Sequence, residues 1–91
     1  MKFVRQFPSA SPVSELHVEL DGEAVVVELV SRDAHAPRAS HDFPLAREAA
    51  FRASIVRWLN GQASRTQFDA AMVESIADQI VGEFDNLLPE D

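Results

Sequence analysis

Two hydrophobic rhythms divide the chain. From Phe3 to Val30, apolar residues recur at every second position. From Leu45 to Leu88 they recur every third or fourth. The first spacing is that of half-buried strands and the second that of amphipathic helices. Phe3, Arg5 and Phe7 share one side of a short opening strand, and Pro8, Ser9, Ser11 and Pro12 then mark a turn-rich connection. Leu16, Val18 and Leu20 alternate with His17 and Glu19, Asp21-Gly22 follows, and residues 23–30 run as a second apolar strand. Asp-Gly between alternating apolar runs predicts a two-residue hairpin loop.

That loop fixes a register. It pairs Leu20 with Glu23, Val18 with Val25 and Leu16 with Val27, so that Leu16, Val18, Leu20, Val25, Val27 and Leu29 share the core face. On the reverse face it sets Glu15 opposite Glu28, an unfavourable pair unless Arg5 or Arg32 lies between them. Residues 31–42 are polar and predict a loop, with an edge strand over 38–43 as its last part. Pro44 suits the first position of a helix, where its missing N–H costs nothing. Leu45, Ala49, Phe51, Ile55, Val56, Trp58 and Leu59 form the apolar arc of that helix, and Gly61 supplies a left-handed stop. Ser64-Arg65-Thr66-Gln67 matches a capping box, with Thr66 and Asp69 as a second register. Val73, Ile76, Ile80, Phe84 and Leu87 then form the stripe of a second helix reaching about Asn86, flanked by Met72, Ala77 and Leu88.

These elements predict an α+β fold: a three- or four-stranded antiparallel sheet, hairpin 15–30 central, with two antiparallel helices packed on one face. Ninety-one residues make one domain, 1–91. The absence of cysteine excludes disulfides, thiolate zinc sites and a cysteine nucleophile. No apolar run reaches the ~20 residues of a membrane helix, and the opening residues carry no signal-peptide core, so the expected location is the cytoplasm. Arginine used in preference to lysine suits a GC-rich bacterial or phage source.

Charge changes the picture most. All eight Lys and Arg residues lie at or before Arg65, where they balance the acids. After it come Asp69, Glu74, Asp78, Glu83, Asp85, Glu90 and Asp91, which carry the whole net charge of −7. Glu74, Asp78 and Asp85 fall opposite the apolar stripe of the second helix. They are the candidate partner-binding residues, because such a face repels nucleic acid and anionic membranes and attracts basic surfaces. The same acids also serve as an ordinary solubility device for a small domain.

Other candidate chemistry is thin. Ser40-His41-Asp42 has the residues of a triad, but triad members come together from separate elements. Asp33, His35, His41 and Asp42 would suit zinc or nickel only if their loop folded back on itself. Glu48 and Arg52 have the favourable i, i+4 order for an ion pair. Trp58 borders the apolar arc, as a core residue or as a binding anchor. The expectation is no catalysis, no metal and no cofactor.

The opening Met1-Lys2-Phe3-Val4-Arg5, a hairpin closing near Asp21-Gly22, Asp42-Phe43 leading into a first helix, and a terminal second helix resemble the small phage anti-CRISPR proteins that inhibit type I-F surveillance complexes. In that family, tyrosines and acidic residues on the sheet contact the Cas proteins. This chain has no tyrosine, so those contacts do not carry across. The resemblance implies a non-enzymatic inhibitor that binds a basic, nucleic-acid-handling surface. The alternatives are a self-associating housekeeping or regulatory domain, a homodimer paired through its sheet, and, least favoured, a metal-binding or enzymatic role for the His/Asp loop.

Overall fold

The computed structural model describes residues 1–90 and has the order β1 (Lys2–Gln6), β2 (Val13–Asp21), β3 (Ala24–Ser31), β4 (Ala39–Pro44), α1 (Glu48–Gly61), α2 (Ala63–Thr66) and α3 (Ala70–Phe84). A 3-10 turn, Asp85–Leu87, follows α3. The fold is α+β, with a four-stranded antiparallel sheet in the order β1-β2-β3-β4 and two longer helices. The chain forms two compact units, Met1–Phe43 and the part beginning at Pro44.

In the first unit, period two puts Leu16, Val18, Val25, Val27 and Leu29 on one face, and all five are buried. The turn differs from the sequence expectation by one residue. Asp21 pairs with Ala24, so Gly22 and Glu23 form the loop, and Leu20 faces Val25, Val18 faces Val27 and Leu16 faces Leu29. Of these two loop residues only Gly22 has positive φ (63°), the pattern of a turn with glycine at its first central position. The partner residues move by two, so no side chain changes face. The expected Glu15–Glu28 clash is thereby corrected. Glu15 lies opposite Val30, and Glu28 lies opposite His17.

Neither Arg5 nor Arg32 serves Glu28. Arg38 does, at 2.9 Å. Arg5 lies on the opposite face with its guanidinium 5.5 Å from the Phe7 ring centroid. Arg32 donates to the carbonyls of Ser11 and Pro8, both at 2.9 Å, and to that of Phe7 at 3.3 Å. One side chain thus ties down the connection between β1 and β2.

A register shift at Ser14 turns Val13 inward, to 3% exposure, against the parity of Glu15, His17 and Glu19. An extra residue of this kind defines a bulge. The Ser14 hydroxyl donates to the Val30 carbonyl at 3.1 Å. Phe7 is buried as well. The edge strand expected over residues 38–43 forms as β4, residues 39–44, with Phe43 buried.

In the second unit the first helix starts at Glu48 rather than Pro44. Pro44 ends β4, and Arg47 is extended (φ −54°, ψ 144°), so no helical turn can form before it. Phe51, Ile55 and Leu59 are the buried positions, at i, i+4 and i+8, while Ala49 is exposed and Trp58 half-buried. Gly61 is not a left-handed stop. It stays helical, and after Gln62 the chain makes the single turn α2. The left-handed position is Gln67 (φ 58°), where the Thr66 hydroxyl accepts the Phe68 N–H at 3.2 Å.

The expected capping box does not start the second helix; a single cap does. Residues 64–67 belong mostly to α2, and Asp69 caps α3 by accepting the Met72 N–H at 2.8 Å. Val73, Ile76, Ala77, Ile80, Val81 and Phe84 are buried along α3, which packs against α1. Leu87 leaves the expected stripe and is 40% exposed, because the tighter 3-10 turn changes the angular step after Phe84. No helix among the described residues is long and apolar enough to cross a membrane.

Candidate functional site

Asp69 sets the start of α3, and its buried face sets the rotation. Glu74 and Asp78, one turn apart, therefore project from the exposed side, 59% and 68% accessible. They are not a cation-free row. Arg52 of α1 donates to Glu74 through Nη2 and to one Asp78 oxygen through Nη2 at 2.9 Å and Nε at 3.1 Å. The expectation of a cation-free acidic side is corrected here, as is the expected Glu48–Arg52 pair. The guanidinium bonds across to the neighbouring helix instead of along its own.

Hydrogen bonds to Glu74 first and Asp78 second raise the Arg52 pKa further above its ordinary value, against a smaller opposing effect of burial. A cation whose pKa rises on folding adds stability that is present below the unfolded value and lost only above the folded one. For Arg52 that loss falls at strongly alkaline pH, so its charge is constant through the neutral range. The group of three charges keeps a net −1.

Asp85, the third residue of the expected row, stands apart. Among the described residues, no ion pair or side-chain hydrogen bond engages Glu83, Asp85 or Glu90. Glu48, Asp85, Asn86, Leu88, Pro89 and Glu90 line a shallow depression of about 390 Å³ in the second unit. α3 has no basic residue in its last turn. Acids at a helix C-terminus meet the negative end of its dipole and weaken the helix. The depression brings the carboxylates of Glu48, Asp85 and Glu90 to one place, and a lysine or arginine from outside would pair with them.

Elsewhere the polar candidates have local explanations. The Asp33 carboxylate accepts the His35 N–H at 2.9 Å, which is a turn contact. His41 lies 4.7 Å, centroid to centroid, from Phe43 on β4. No three His, Cys, Asp or Glu residues converge as metal ligands among the described residues. On the sheet, Lys2, Val4, His17, Glu19, Val26 and Glu28 border a depression of about 290 Å³. His17 Nε2 lies 3.4 Å from Glu15.

Sequence reasoning missed two features of the candidate site. One is the Arg52 clamp, which counting charge by segment conceals because Arg52 falls in the balanced part of the chain. The other is the depression beside Asp85, whose signal was available as acids placed at a helix C-terminus without a following cation. No family model matches the chain, and no curated protein or solved structure matches it either.

Proposed function

We propose that the protein is a non-enzymatic interaction module that inhibits a partner complex by occupying a basic, nucleic-acid-handling surface. The observation that carries this reading is a set of unengaged carboxylates, Glu83 and Asp85 at the dipole-negative end of α3 and Glu90, which lines the same depression as Asp85. Glu83 and Asp85 oppose helix stability where they stand, and a basic partner turns that cost into binding energy. Asp85 is the central contact. Glu74 and Asp78 contribute the residual −1 that Arg52 leaves. The type I-F surveillance complex is the first partner to test, because the resemblance carried by Met1-Lys2-Phe3-Val4-Arg5, the hairpin near Asp21-Gly22 and Asp42-Phe43 is to its inhibitors.

The test measures target-DNA binding by a purified type I-F surveillance complex with increasing amounts of the protein. The wild type should displace DNA, and Glu83→Lys/Asp85→Lys/Glu90→Lys should not, at an unchanged circular dichroism spectrum. Displacement by both proteins rejects the carboxylate site. Displacement by neither, with no partner recovered from host extract by the wild type over the triple variant, rejects the interaction module.

A further inference from the structure

The two edges of the sheet are built differently. β4 carries Ser40, His41 and Asp42 and ends on Pro44. Polar side chains and a missing N–H guard such an edge against pairing. β1 exposes Lys2, Val4 and Gln6, and Val4 is 48% accessible. Between β1 and β2, the Leu20 N–H reaches the Met1 carbonyl at 2.9 Å and the Phe7 N–H reaches the Ser14 carbonyl at 3.1 Å. Antiparallel ladders alternate. Residues 1, 3, 5 and 7 therefore turn their backbone groups to β2, and Lys2, Val4 and Gln6 turn theirs outward.

We infer that this edge pairs with β1 of a second copy, antiparallel and centred on Val4, to form a two-fold dimer with one continuous eight-stranded sheet. The register follows from the residues. Outward groups must meet outward groups, which leaves three two-fold registers. Centring on Arg5 sets two arginines directly opposite each other, and centring on Phe3 leaves Gln6 unpaired. Centring on Val4 pairs Lys2 with Gln6 of the other copy and Val4 with its own counterpart, for about six new backbone hydrogen bonds.

On the other face of the strand the Val4 register sets Arg5 beside Phe3 of the other copy, a cation next to a ring. No like charges stand opposite each other. The lysine and arginine meet neutral or aromatic residues instead of each other, and this self-complementarity of the strand is the ground for a second copy as the occupant. The symmetry is that of an isologous interface. Only five residues pair, so the dimer is weak and concentration-dependent.

Sedimentation equilibrium of the full chain across the micromolar to millimolar range tests this. The wild type should pass from monomer to dimer. Gln6→Glu creates two cross-strand pairs with Lys2 and should lower the dissociation constant about three- to tenfold. Val4→Lys opposes two cations at the centre and should raise it at least tenfold. Val4→Pro removes an outward N–H that β2 does not use and should abolish dimerisation while leaving the circular dichroism spectrum folded; if this variant unfolds, Val4→Lys still decides. A wild type that stays monomeric to millimolar concentration overturns the inference. So does a dimer that Val4→Lys and Gln6→Glu leave unchanged.

Discussion

The hairpin of β2 and β3 and the helix α3 are both amphipathic, yet their acids are met differently: Glu28 by Arg38, ten residues on, and Glu74 and Asp78 together by Arg52 of another helix. In the hairpin, turn, register and bulge all arise from residues within 13–31. α3 supplies its own cap at Asp69 and its own buried stripe. Its polar side is completed by another element, through Arg52 of α1. Apolar faces are a local property, written in the period of one segment. The charge of a polar face is a tertiary property, because long cationic side chains reach across from neighbours.

The largest test of this contrast removes apolar groups from each region. Leu16 in the hairpin and Ile80 in α3 are both fully buried. Leu16→Ala and Ile80→Ala should each cost about 2–5 kcal/mol, measured by urea unfolding. For a domain of this size either loss approaches the whole stability. A cost under about 1 kcal/mol at either site would show that its burial is not part of a packed core.

Smaller effects come from the devices that end each element. Gly22 has φ 63°, and a Cβ built there meets nothing within 4 Å, so Gly22→Ala tests backbone strain alone. It should cost about 1 kcal/mol, and Gly22→Asn less, since asparagine tolerates the left-handed region. Asp69→Ala removes the cap of α3 and should also cost about 1 kcal/mol, whereas Asp69→Ser should restore most of it. Equal losses for Ala and Ser at position 69 would sink the capping role.

Much of this was legible in the sequence, for identifiable reasons. Most of the buried set of each region follows from period two and period 3.6, although Leu20 is only half-buried and Val81 joins the core, and a slip of the hairpin loop by one residue left every face unchanged. Val13 was not legible, because the bulge at Ser14 reverses its parity, and no residue type announces a bulge. The start at Glu48 was hidden by Pro44, which suits a strand end as well as a helix start. Gly61 looked like a stop, but the reversal falls at Gln67, where the Thr66 hydroxyl holds the turn. Of the candidate site, the acids themselves were legible. Their pairing was not, since Arg52 and Asp78 are 26 positions apart.

The finest test addresses that pairing. Exposed ion pairs contribute little to stability and are weakened by salt. Arg52→Ala should therefore lower the melting temperature only slightly, by less than either terminating device, and the difference from wild type should shrink as salt is added. Its effect on binding is more telling. Removing Arg52 returns two uncompensated carboxylates to α3, so the row of Glu74, Asp78 and Asp85 becomes the cation-free face that segment counting suggested. If Glu74 and Asp78 touch the basic partner, Arg52→Ala tightens binding, and adding Glu74→Gln/Asp78→Gln cancels the gain. If only the end of α3 makes contact, Arg52→Ala has little effect, and Asp85→Lys alone weakens the complex. The two outcomes decide whether Arg52 screens the binding surface or merely joins two helices.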